Sequence, residues 1–208
     1  MNNNRKNHIT SSILTTAARM FTGEDGVQVE CGEPRTDGHT VWIPGIKQDL
    51  TITEATLLRG YFAHESGHIK YNSFCQHAKK IIQQSEVHSD YLHEVFNGTE
   101  DVRIERLLKR HNPGCVETLN AIKTEAVRAH GDTPKKPSSP SELWGMMVHA
   151  IIWYMEPCEP PSYCRVGTEM LRKIGVDKAL DRYEVELGKP DPDTLDSATA
   201  AVEIHKMI

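Results

Sequence analysis

No stretch of this sequence approaches the roughly 18 apolar residues of a membrane span. Its first residues, Met1-Asn2-Asn3-Asn4-Arg5-Lys6-Asn7-His8, lack the apolar centre of a signal peptide. A cytoplasmic protein without a membrane partner is therefore expected. Cysteine is scarce and scattered. Cys31, Cys75, Cys115, Cys158 and Cys164 are odd in number and contain no CxxC pair, so neither a disulfide framework nor a cysteine-based zinc site is read from them. Positive charge is not in excess. The 24 Lys and Arg face 29 Asp and Glu, a net charge of −5, which argues against a nucleic-acid binder driven by bulk charge. The basic runs Lys79-Lys80 and Arg103 to Arg110 read as solvated faces. What is present is a globular composition: 208 residues, 38% apolar and 25% charged, enough for one domain with a core or two small lobes around a cleft. The one surplus is 11 histidines, which raises the expectation of metal chemistry.

Hydrophobic periodicity predicts a mainly helical chain with a small sheet near the N-terminus. A first helix is expected over Ile9 to Phe21, closed by Gly23 and Gly26. Val27 to Cys31 and Thr40 to Ile43 alternate as strands do and suggest one hairpin. A long helix is expected from an N-cap at Thr53 to about Tyr71. Further helices are read at Gln76–Ser85, Val87–Phe96, Gly98–Lys109 and Cys115–Ala129. The tract from Gly131 to Pro140 has linker composition. Ser139-Pro140-Ser141-Glu142 then opens an apolar helix running to Met155, in which Trp144, Met146 and Met147 read as core. Shorter helices follow at Gly167–Ile174, Asp177–Glu186 and from Asp191-Pro192 onward. The domain reading is 1–130 as the metal-binding domain, 131–140 as a linker or loop, and 141–208 as a helical lobe packing on the same domain.

Chemistry concentrates in Tyr61-Phe62-Ala63-His64-Glu65-Ser66-Gly67-His68, which contains HExxH. On a helix, His64 and His68 stand one turn apart on one side and can bind a single zinc ion. Glu65 lies beside them and can accept a proton from a zinc-activated water, which is the chemistry of metal-assisted hydrolysis. The competing reading is an amphipathic helix with two polar histidines.

A third ligand is needed. The metzincin continuation would require glycine at 71 and histidine at 74, and Tyr71 and Phe74 exclude it. Candidates lie in Asn97-Gly98-Thr99-Glu100-Asp101-Val102-Arg103-Ile104-Glu105. Asn97, Glu100, Asp101 and Ile104 share one helical face, while Arg103, Arg106 and Arg110 lie largely on another. The alternative is a solvated helix with Glu and Arg paired at helical spacing.

HExxH followed by an acidic residue on a later helix resembles the gluzincin metallopeptidases. The run NxxEDxRIE from Asn97 to Glu105, with Thr36-Asp37-Gly38 leading into Val41-Trp42-Ile43-Pro44, is similar to the peptidase-like region of phage and bacterial proteins related to the cobaltochelatase CobT subunit. The resemblance covers roughly residues 35 to 110. It implies an α+β, mainly helical, zincin-like fold and a zinc peptidase acting on a peptide or protein substrate. Glu65 would be the catalytic base, and His64, His68 and Glu100 would hold one zinc per chain. Asp101 would orient a ligand histidine. An aspartate ligand, as in aspzincins, is the competing assignment, although Asp101 falls one residue short of the GTxxD spacing that starts at Gly98-Thr99. The resemblance also implies an AAA+ ATPase partner, and an edge strand at Val41 to Ile43 that binds extended substrate. His149, Tyr154, His88, Tyr91 and His93 are candidates for stabilising an oxyanion. The sequence given ends at Ile208 without the acidic linker or the von Willebrand A motif of those relatives, so a stand-alone phage-type peptidase or a piece of a longer protein is expected. The rival function is a zinc-stabilised, non-catalytic binding or assembly module related to the chelatase-associated proteins.

Overall fold

The structure, a computed structural model, describes residues 3–47, 49–85, 90–131, 136–156 and 160–208. The mainly helical α+β expectation holds. The chain divides into two compact units.

The first unit comprises Met1–Phe74 and Leu107–Thr124. It contains α1 (Asn3–Thr22), β1 (Gln28–Cys31), β2 (Arg35–Thr36), β3 (Thr40–Ile43) and α2 (Ile52–Lys70), then a short 3-10 turn at Pro113–Cys115 and the start of α5 (Val116–His130). The sheet is not the expected hairpin of β1 with β3. The chain returns through β2 before entering β3, so β3 pairs parallel with β1 (Val29 opposite Val41) and antiparallel with β2 (Thr36 opposite Val41). This corrects the edge-strand expectation for Val41 to Ile43. Both sides of β3 are already hydrogen-bonded, leaving it no free edge for an added peptide. Ala18, Val27, Val29, Val41 and Ile43 form the core, covered by Leu14 of α1 and by Leu58, Tyr61, Phe62 and Ile69 of α2.

Helix α2 starts two residues earlier than the periodicity suggested. Thr51 is the N-cap: its hydroxyl accepts from the Glu54 N–H, and the Glu54 carboxylate accepts from the Thr51 N–H. Thr53 could not form this reciprocal pair, because Thr56 and not an acid lies three residues on. Midway along the helix, Gly60 admits α5. A Cβ there would lie 2.4 Å from the Thr118 carbonyl oxygen and 2.9 Å from Ile122.

The second unit comprises Cys75–Arg106 and Glu125–Ile208. It is helical: α3 (Gln76–Gln84), most of α4 (Asp90–His111), α6 (Pro140–Tyr154), α7 (Arg165–Lys173), α8 (Asp177–Leu187) and α9 (Thr194–Met207). Residues 86–89, where a helix starting at Val87 was expected, lie outside the described residues, as do 132–135 of the expected linker and 157–159 with Cys158. The two helices expected between 87 and 109 are one. Gly98 does not break α4, because Val148 and Ile152 of α6 pack 3.5 Å from its would-be Cβ, and tertiary contact outweighs its poor propensity. Leu92, Val95 and Val102 of α4 share a core with Met147, Ile151, Leu180 and Ile204. The compact units part within α4 and α5. Among the described residues no helix is long and apolar enough to cross a membrane.

Gly60→Ala forces a methyl group onto a backbone oxygen, an overpacking that costs about 1–3 kcal/mol. The urea midpoint of the first unit's transition is expected to fall accordingly, and an unchanged midpoint would show that α2 and α5 do not depend on this close approach.

Candidate metal centre

Helix α2 buries its apolar side against the sheet, and this fixes where its histidines stand. His64 and His68 approach edge-on, with ring centroids 5.0 Å apart and planes at 80°. Their Nε2 atoms are 3.3 Å apart. Two nitrogens each at about 2.0–2.1 Å from a tetrahedral zinc would be separated by roughly 3.3–3.4 Å. The pair therefore has the spacing of two ligands on one ion.

Ser73 offers the other ring nitrogen of His68 a partner. Its Nδ1 lies 3.1 Å from the Ser73 Oγ. If Nδ1–H donates to that hydroxyl, the Nε2 lone pair faces His64, as a metal ligand requires. Ser73 reaches this position because the chain reverses immediately after α2. Asn72 adopts a left-handed conformation (φ 55°), and the Ser73 N–H donates back to the His68 carbonyl at 2.9 Å. Asparagine is among the few residues that take this conformation readily. Phe74 then places its ring edge-on against His68 at 6.4 Å between centroids.

The Thr36-Asp37-Gly38 motif supports this wall. Asp37 Oδ1 accepts from the backbone N–H groups of His39 (2.9 Å) and Thr40 (2.7 Å), and these bonds hold its carboxyl below the usual range. Gly38, at φ +96°, sits where a Cβ would be 3.0 Å from the Phe74 ring. The motif is thus a tight turn shaped to let Phe74 back the histidine. Ser73 and Phe74 were not singled out from sequence. Their only signal there was proximity to the end of a HExxH helix.

Glu65 and Ser66 are both buried, Glu65 at 8% exposure. Glu65 follows His64 directly, so it points about 100° away around the helix.

The second unit holds the acidic candidates. Glu100, expected on the metal, has its carboxylate on Arg103. Arg103 Nε donates to Glu100 Oε2 at 2.9 Å, and Nη2 donates to Oε1. Arg103 also donates to the Pro192 carbonyl (3.0 Å) and to the Thr194 hydroxyl (2.8 Å). Both residues are 2% exposed. Burial pulls the Arg103 guanidinium pKa down, but the hydrogen bond and charge of Glu100 more than restore it. The expected Glu–Arg pairing at helical spacing is therefore real, but it is buried and not solvated. It ties α4 to the start of α9. Asp101 is half-buried.

Most oxyanion candidates have structural surroundings in this unit. His149 packs between His130 (5.0 Å) and Tyr163 (5.8 Å), and burial, with His130 nearby, lowers its pKa. Tyr154 donates to Asp181 at 2.9 Å. Tyr91 packs against Trp144, with ring centroids 4.7 Å apart and planes tilted by 52°. His93 is exposed, and His88 lies outside the described residues. Met146 and Met147 are buried, as expected of core.

Comparison with protein-family models gives a match, over residues 10–138, to the family described as cobalamin biosynthesis protein CobT. No curated protein and no solved structure matches.

Removing one partner of the buried pair strands a charge. Glu100→Ala is expected to destabilise the protein by about 3–5 kcal/mol, measured by urea denaturation. Replacing Glu100 and Arg103 together with Leu and Met is expected to cost much less. Equal losses for the single and double changes would contradict this account of Glu100.

Proposed function

The chain belongs to the CobT family, whose model covers residues 10–138 of its 208, and on that premise we propose that it is a metal-binding assembly module of the chelatase-associated type. One zinc ion would be held by His64, His68 and a carboxylate from α4. The observation that carries this reading is the 3.3 Å spacing of the two Nε2 atoms, with Ser73 positioned to fix the tautomer of His68.

For the third ligand we favour Asp101 over Glu100. Both oxygens of Glu100 are engaged by Arg103, and withdrawing that carboxylate to a metal would leave a buried guanidinium without its counter-charge. With Asp101 as the third ligand, the donor set would be two imidazoles and one carboxylate, a combination suited to zinc. Such an ion would contribute folding free energy where its coordination is closed, and would act as a Lewis acid where a position stays open. The protein's own part is orientation. Ser73 and Phe74 hold His68, and the capped, packed α2 holds the two imidazoles one turn apart. By analogy with the family, the surface so stabilised would serve assembly with an AAA+ ATPase.

A second reading is favoured by one specific feature: the glutamate of HExxH is present as Glu65. In a zinc peptidase it would be the group that accepts a proton from the attacking water. The central position of β3, between β1 and β2, weighs against this, because it is not an edge strand open to an extended substrate.

Protein purified without added metal is expected to contain about one zinc per chain, read by elemental analysis. In competition with a chelator, Asp101→Ala is expected to lose more than the 10–100-fold of affinity typical of an outer-shell change, and correctly folded Glu100→Gln much less. The reverse order would return the ligand role to Glu100. Glu65→Gln is expected to keep the metal. On a broad peptide library the wild type is expected to show no zinc-dependent cleavage, and cleavage abolished by Glu65→Gln would establish the peptidase reading instead.

A further inference from the structure

A cavity of about 260 Å³ opens in the first unit, on the side of α2 that carries Leu58 and Phe62. Leu14, Phe21, Ile43, Leu58 and Phe62 form its walls. This is larger than the roughly 150 Å³ cavity that suffices to bind benzene, and an apolar space of this kind holds water poorly. The one formally charged side chain lining it is Arg59. Arg59 is exposed and makes no ion pair among the described residues. A second cation stands behind the Phe21 wall: Lys70 lies 4.4 Å over the Phe21 ring and donates to the Phe21 carbonyl at 3.0 Å. Cys115 also lines the cavity. Burial raises its thiol pKa, and the fields of Lys70 and Arg59 both act on it in the opposite sense. One end of an otherwise carbon-lined space is therefore electropositive, with no acidic side chain among its lining residues.

We propose that this cavity is a binding site for a small anionic amphiphile: a compact apolar body seated among Leu14, Phe21, Ile43, Leu58 and Phe62, with a carboxylate paired to Arg59. Apolar burial supplies the main attraction. Arg59 supplies orientation and the preference for an anion over a neutral head, since its planar fork matches a carboxylate. This site is independent of the metal reading, because none of its lining residues is a proposed ligand.

The test uses octanoate as the probe, with octanol as its uncharged counterpart, titrated calorimetrically into the full chain. Octanoate is expected to saturate at one per chain. It should slow alkylation of Cys115, followed by mass spectrometry, while leaving the exposed Cys31 unaffected. Arg59→Gln is expected to weaken octanoate by about tenfold, the scale of one charge-assisted hydrogen bond, and to leave octanol unchanged. Gly114 lines the same cavity, and a Cβ built on it meets nothing within 4 Å. Gly114→Leu is expected to obstruct the cavity and weaken binding of both probes. Absence of saturable octanoate binding would overturn the proposal. So would equal affinity for octanol and octanoate, or unaltered Cys115 alkylation at saturating octanoate.

Discussion

Everything proposed for this protein depends on one helix being held straight in one rotational setting. Helix α2 presents His64 and His68 one turn apart, and a small change in its roll would swing both imidazoles off a common point. Three unrelated contacts prevent that. The Thr51–Glu54 capping box fixes where the helix begins. Leu58, Tyr61, Phe62 and Ile69 lock one face onto the sheet core. Gly60 lets the backbone of α5 come within reach of the helix surface. The helix then ends in a left-handed residue, Asn72, which turns the chain back so that Ser73 meets the His68 ring. The two imidazoles thus stand on a helix held by several independent contacts, as a preorganised ligand set requires.

The same logic explains two motifs of different appearance. Thr36-Asp37-Gly38 touches no histidine, yet its turn makes room for Phe74, and Phe74 flanks His68. The NxxEDxRIE run looks like an acidic ligand segment, but Glu100 and Arg103 within it form a buried, bidentate brace anchored on Thr194 and Pro192. A carboxylate adjacent in sequence, Asp101, points elsewhere on the helix. Of the two adjacent acids, the buried Glu100 is committed to its arginine.

Helix positions were legible in the sequence because periodicity and caps are local signals. HExxH is likewise local, since its two histidines lie four residues apart on one helix, and the structure places them together. Non-local features were not legible. The β1–β3 pairing is parallel because a two-residue strand intervenes, and nothing in the alternation of Val27 to Cys31 encodes that. The continuity of α4 through Gly98 rests on Val148 and Ile152, some fifty residues downstream. The partner of Glu100 was within helical reach, but its burial is completed by residues of α9 and the loop before it. Ser73 carries no signal of its own apart from the turn that delivers it.

The most direct test of the central claim is X-ray absorption at the zinc edge on the zinc-loaded full chain. The account predicts a first shell of nitrogen and oxygen only, at roughly 2.0–2.1 Å, with the outer-shell scattering of two imidazoles that drops to one in His68→Ala. A sulfur shell near 2.3 Å, or an imidazole signal that survives the loss of both His64 and His68, would place the metal elsewhere and contradict the account.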